Sequence, residues 1–130
     1  MPIQTKKQIV LIVEDESSIR HPLSEKFAHE GFLVLEAENG EKGLAIAVGK
    51  HPDIILLDII MPVMDGMTML KKLRAGSEWG KAVPVIVLTN LSSGDEDRMK
   101  DIIQTQPSYY LVKTDWKMDD VVAKVREQLK

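Results

Sequence analysis

The sequence predicts an α/β fold of three layers, a five-stranded parallel sheet held between two layers of helices. Two observations predict it. Five short runs rich in Val, Ile and Leu recur along the chain, and stretches with helical apolar spacing lie between them. The runs are also continuously apolar rather than alternating, as strands covered on both faces are. Such alternation implies right-handed crossovers between parallel strands. A length of 130 residues suits one domain with a single core.

The first strand is Ile9–Val13. The first helix follows Ser17 or Ser18 and carries Ile19, Leu23 and Phe27 at i, i+4 and i+8. Pro22 lies near its start, where few backbone bonds are at stake, so a mild distortion is expected rather than a break. Residues 33–36 form the second strand. The second helix follows Asn39-Gly40, with Leu44, Ala47 and Val48 on one face. Residues 54–57 form the third strand, and the third helix begins near Met64 and carries Leu70 and Leu73. The segment from Gly76 to Ala82 resembles a P-loop but is one residue short and lacks the Ser/Thr that holds Mg2+, so it reads as a loop. Residues 83–88 form the fourth strand. The fourth helix follows the capping signal Ser92-Ser93, carries Met99, Ile102 and Ile103, and is stopped by Pro107. The fifth strand is Tyr109–Val112, and the fifth helix runs from about Lys117 with Val121, Val122, Val125 and Leu129.

Composition removes several functions. The net charge of −3 argues against direct nucleic-acid binding, which needs a basic face. Without cysteine there is neither a disulfide framework nor thiolate chemistry. The N-terminus is no signal peptide and no apolar stretch spans a bilayer, so no membrane contact is expected and a cytoplasmic location is the default. His21, His29 and His51 lack metal-ligand spacing and read as surface residues. Met61, Met64, Met67 and Met69 read as core and loop packing.

The chemistry is written at the strand ends. The first strand runs into Glu14 and Asp15, and the third into Asp58. Thr89 and Lys113 fall just past two further strands. In open α/β sheets, ligands bind beyond the carboxyl ends of the strands, so these five residues can build one site. Clustered carboxylates repel each other. A chain that gathers them holds a hard cation, uses one acid as a nucleophile, or does both.

Asp58-x-x-Met61-Pro62-x-Met64-Asp65-Gly66, the pair Glu14-Asp15, Thr89 after Val85-Ile86-Val87-Leu88, and Tyr110-Leu111-Val112-Lys113 together resemble the response-regulator receiver domain, the phospho-acceptor module of two-component signalling. The resemblance runs from Ile9 to Leu129. It implies a flavodoxin-like sheet in the order 2-1-3-4-5 with five helices, and a single receiver domain over residues 1–130 with its core at about 8–129. It implies that Asp58 accepts a phosphoryl group from a sensor histidine kinase or phosphotransfer protein. It further implies that Mg2+ is bound by Asp15, Asp58 and the backbone carbonyl of Ile60, with Glu14 acting through water. Thr89 and Lys113 are then the phosphoryl contacts. Thr89 and Tyr110 are the switch pair, read out on the fourth helix, fifth strand and fifth helix by an effector or by a phosphorylation-dependent homodimer. On this reading the protein is a switch and not an enzyme. The chain ends after the fifth helix without an output domain, so it is either a stand-alone regulator or a piece of a larger protein.

Several residues depart from the family pattern. Thr114 follows Lys113 where Pro is usual, and a cis Lys–Thr bond costs about 2.5–4 kcal/mol, so a trans and differently shaped loop is expected. Trp116 stands in for the usual aromatic staple of the fifth helix. Asn90 replaces a very small residue and either narrows access to the phosphoryl group or hydrogen-bonds to it. Ile60 and Leu91 are apolar and cannot orient an attacking water, which predicts slow self-hydrolysis. These departures motivate one alternative, a receiver-like interaction module that does not depend on phosphorylation. A flavodoxin-like cofactor binder shares the fold but needs a Ser/Thr-rich phosphate loop that is not evident here. A haloacid-dehalogenase-type phosphatase needs a second acid that Asp58-Ile59-Ile60 lacks.

Overall fold

The computed structural model describes residues 7–58, 66–89, 109–112 and 117–129, with the backbone alone at Thr89 and in the strand 109–112. Five strands form one parallel sheet: β1 (Ile9–Val13), β2 (Leu33–Ala37), β3 (Ile54–Asp58), β4 (Val85–Thr89) and β5 (Tyr109–Val112). Their order is β2-β1-β3-β4-β5, as expected. The described helices are α1 (Ser17–His29), α2 (Gly40–Lys50), α3 (Gly66–Gly76), α4 (Glu78–Ala82) and α5 (Met118–Gln128).

The two-residue period of the strands divides the core into two layers. Leu11, Val13, Ile55, Leu57, Val85 and Val87 face the side covered by α2 and α3. Val10, Ile12, Ile54, Leu56, Ile86 and Leu88 face the side covered by α1 and α5. On that second side Leu23 and Phe27 of α1 meet Val121, Val122 and Val125 of α5. Lys26 and Asp119 join the same two helices at the rim, 2.7 Å apart. Their mutual hydrogen bond raises the pKa of Lys26 and lowers that of Asp119.

The helix ends have local causes. α1 runs unbroken through Pro22. It starts at Ser17, so that the expected caps Ser17 and Ser18 lie inside it, with Glu16 at the N-cap and no side-chain cap bond. It ends in a Schellman turn: Phe32 N–H donates to Phe27 O (3.0 Å) and Gly31 N–H to Ala28 O (3.1 Å). Gly31 takes φ 97°, which a side chain would resist. The rings of Phe27 and Phe32 then meet edge-on at 5.3 Å, the apolar contact that usually accompanies this turn. In α2, Asn39 caps the helix by accepting from Lys42 N–H (2.9 Å). In α5, the Asp120 carboxylate accepts from Lys117 N–H (2.9 Å) and caps the first turn.

Four further expectations need correction. Val48 is 59 % exposed and off the packing face. The buried seam of α2 is Gly40, Gly43 and Ala47, small residues that bring the helix close to β1, and Val48 is rotated about 100° from Ala47. The segment read as a loop after Gly76 contains the one-turn helix α4, capped by Ser77, whose hydroxyl accepts from Gly80 N–H (3.0 Å). β4 begins at Val85, after Pro84, rather than at residue 83. β2 and β3 each run one residue further than expected, so Asp58 is the last residue of its strand. The helix expected after Ser92-Ser93, its stop at Pro107 and the start of the third helix near Met64 lie outside the described residues.

Gly49 sits in α2 with open space where a Cβ would stand. Gly49→Ala is therefore expected to stabilise the protein by about 0.5–1 kcal/mol, since alanine loses less backbone freedom on folding. A rise in the denaturant midpoint at unchanged slope is the expected signature.

Candidate functional site

The sheet itself assembles the acids. β1 lies between β2 and β3, and Val13 pairs with Leu57, so the next residue on each strand, Glu14 and Asp58, reaches the same level. The connection from β1 runs to β2 and that from β3 runs to β4, in opposite directions along the sheet, which opens a crevice at the carboxyl ends of β1 and β3. Asp15 follows at the start of the turn into α1. Carboxylate oxygens of Glu14, Asp15 and Asp58 all lie within 4.8 Å of one another. Glu14 is 1 % and Asp58 3 % exposed, and Asp15 is half-buried.

Two carboxylates at that spacing repel by about 3 kcal/mol at an effective dielectric near 20. Burial adds a desolvation cost. Three acids packed this way are suited to a divalent cation with oxygen ligands. Hard oxygen donors and two largely buried carboxylates fit Mg2+, whose preference is for one or two carboxylates with the remaining positions left to water and phosphate.

The loop carrying Glu14 and Asp15 is held in place. Glu14 N–H donates to Ala37 O of β2 (3.0 Å), and its backbone oxygen accepts from Arg20 Nη1 (2.8 Å). Its carboxylate accepts from Glu16 N–H (3.3 Å). Arg20 Nε reaches the Glu36 carboxylate at 3.1 Å. Sequence reasoning missed Arg20 and Glu36. Neither carries a motif signal, and only the fold brings helix α1 over the end of β2.

Of the other expected site residues, Thr89 ends β4, with its Cα paired to Val112 of β5, while the Cα of Asp58 pairs with Leu88. The backbone register thus brings the last residues of β3, β4 and β5 to one edge of the sheet. Tyr110 is in β5, paired with Val87. The side chains of Thr89 and Tyr110, and all of Ile60, Asn90, Leu91, Lys113, Thr114 and Trp116, lie outside the described residues. His21, His29 and His51 are exposed, as expected, and His51 stacks on Trp79 with ring centroids 4.2 Å apart. Met69 is buried and Met67 packs against the same core. Met61 and Met64 lie outside the described residues. Among the described residues, no helix is long and apolar enough to cross a membrane.

A family model described as the response regulator receiver domain matches residues 10–126. The chain belongs to the response regulator receiver family. Receiver domains are signalling modules of two-component systems rather than classical enzymes. The receiver is 32 % identical over 127 residues to "Transcriptional regulatory protein ResD" of Bacillus subtilis, covering 98 % of this chain and 50 % of that protein. It is 38 % identical over 87 residues to "Probable transcriptional regulator ycf27" of Porphyridium aerugineum, covering 67 % and 35 %. The receiver therefore spans half or less of the length of these relatives. Among solved structures it resembles the chemotaxis protein CheY4 of Vibrio cholerae, with a TM-score of 0.84, 27 % identity and coverage of 94 % and 98 %. The fold expectation and the family resemblance are both borne out.

Proposed function

We propose that this receiver is a phospho-acceptor switch in which Asp58 takes a phosphoryl group from a sensor histidine kinase or phosphotransfer protein. The observation that carries this reading is the convergence of Glu14, Asp15 and Asp58 within 4.8 Å at the sheet's carboxyl edge, in a chain of this family. An Asp58 carboxylate oxygen forms a bond to phosphorus as the phosphorus–nitrogen bond to the donor imidazole breaks. The electron pair returns to that nitrogen, and an acyl phosphate remains on Asp58. When bound, Mg2+ neutralises charge on the carboxylates and on the phosphoryl oxygens. By the family resemblance, Asp15, Asp58 and the Ile60 carbonyl would hold it, and Glu14 would act through water. The Thr89 hydroxyl donates to a phosphoryl oxygen, and the Lys113 ammonium supplies a point charge.

The phosphoryl group adds close to two negative charges at neutral pH. Thr89 moves toward it, and Tyr110 turns into the space vacated. The segment after Ser92-Ser93, β5 and α5 then form the face that an effector, an output domain or a second copy of the chain reads. The whole of residues 1–130 acts as one receiver domain in the cytoplasm, without direct nucleic-acid contact.

Incubation with Mg2+ and a small acyl-phosphate donor is expected to add one phosphoryl mass to the intact protein. No gain with that donor or with any histidine kinase defeats the reading and leaves the phosphorylation-independent module in its place. Because Ile60 and Leu91 offer no polar group to an attacking water, the phosphorylated form is expected to decay slowly. A lifetime of seconds, followed by mass spectrometry after donor removal, would contradict this.

A further inference from the structure

We infer that Arg20 is a positioning residue for the divalent-cation site, acting through the backbone oxygen of Glu14. The inference rests on Glu14, Asp15 and Asp58 being that site. Four residues form a closed ring. Arg20 Nη1 donates to Glu14 O (2.8 Å), and Arg20 Nε donates to Glu36 Oε1 (3.1 Å). Glu36 is bonded in sequence to Ala37, whose carbonyl accepts from Glu14 N–H (3.0 Å). Glu14 is thus held by its N–H from β2 and by its C=O from α1.

The Glu14 carbonyl shares a planar peptide unit with the Asp15 N–H. Fixing that oxygen fixes the plane from which Asp15 departs, and so the direction in which its carboxylate can point. The side chain of Arg20 is only 13 % exposed and its bond to Glu14 O is partly buried, while its bond to Glu36 lies at the surface. Two separate N–H groups on one rigid fork are needed to reach both Glu14 O and Glu36. A lysine ammonium keeps the charge but has no fork. Partners of this kind, one step removed from a metal ligand, govern metal affinity without touching the ion.

Arg20 is also a cation beside an acidic site, and this separates two roles by sign. If Arg20 acted only through its charge, removing it would tighten divalent-cation binding, because a repulsion would be lost. If it positions the loop, removing it weakens binding. The experiment is a calorimetric titration of the metal-free protein with MgCl2, for wild type, Arg20→Lys, Arg20→Ala and Glu36→Ala, with amide hydrogen exchange at Asp15 and Glu16 followed in metal-free samples. We expect Kd for Mg2+ to rise roughly tenfold in Arg20→Lys and at least as much in Arg20→Ala. Glu36→Ala, which changes a different element, is expected to shift Kd the same way, with less than additive effect when combined with Arg20→Lys. Exchange at Asp15 and Glu16 is expected to quicken in each variant. Unchanged or tighter Mg2+ binding by the folded Arg20 variants overturns the inference. If wild type itself takes up no Mg2+, the cation-site reading falls, and this inference falls with it.

Discussion

An Asp58→Asn variant is expected to gain no phosphoryl mass under conditions that phosphorylate the wild type, and to be more stable than wild type without metal. Asn has nearly the shape of Asp, so packing at the end of β3 is kept. Its amide oxygen carries no full charge and does not serve as the nucleophile toward phosphorus. The stability effect follows from the cluster. Asp58 is 3 % exposed, with its carboxylate within 4.8 Å of those of Glu14 and Asp15. Removing its charge relieves two repulsions of about 3 kcal/mol each at an effective dielectric near 20. Relaxation and existing hydrogen bonds reduce the net gain to about 1–2 kcal/mol, a rise in Tm of several degrees. With Mg2+ at about 100 times Kd, wild type gains about 2.7 kcal/mol, and the variant gains little. Intact mass and paired melts with and without Mg2+ read both effects. A variant phosphorylated as fully as wild type places the nucleophile elsewhere. A variant less stable than metal-free wild type shows that the acids are not in conflict.

Gly80→Ala is expected to destabilise the protein by about 3 kcal/mol, a fall in Tm of roughly 10 °C. A Cβ at this position meets the backbone oxygen of Leu73 at 2.1 Å. That oxygen belongs to α3 and cannot swing away as a side chain can. The Gly80 carbonyl also accepts from Arg74 Nη1 (2.8 Å), and the same nitrogen serves Val83 O (2.7 Å). The turn is therefore pinned between α3 and the entry to β4, with no direction in which to relax. Gly76→Ala, four residues earlier, meets nothing within 4 Å and serves as the control. Urea denaturation of the two variants compares them directly. Equal midpoints would show that α4 shifts freely and that the close approach to Leu73 is unimportant. Because α4 enters β4 at its amino end, while Asp58 lies at the carboxyl edge of the parallel sheet, phosphorylation of folded Gly80→Ala is expected to be unaffected.

The acidic site was legible because its residues sit at strand ends, and strand ends can be read from apolar runs. Glu14, Asp15 and Asp58 needed only the parallel register to meet. The failures share a cause. Val48 looked like a packing residue because it is apolar, yet α2 packs through Gly40, Gly43 and Ala47. Close approach to β1 favours the smallest side chains, and a Cβ on Gly43 would stand 2.8 Å from Val13 Cγ2. The turn at Glu78–Ala82 reads as a loop because Gly76 to Ala82 resembles a P-loop one residue short, while its contacts to Leu73 and Arg74 lie on another helix.

The sequence by itself determined the α/β class, the identity of the acids and the family, because each depends on local period or on residues in a short motif. Only the tertiary structure decided which helix faces pack, that α4 exists, and that Arg20 and Glu36 hold the loop carrying Glu14 and Asp15. Periodicity is a property of one segment. A hydrogen bond from α1 to the end of β1, braced from β2, depends on how three segments cross, and no one of them encodes that crossing.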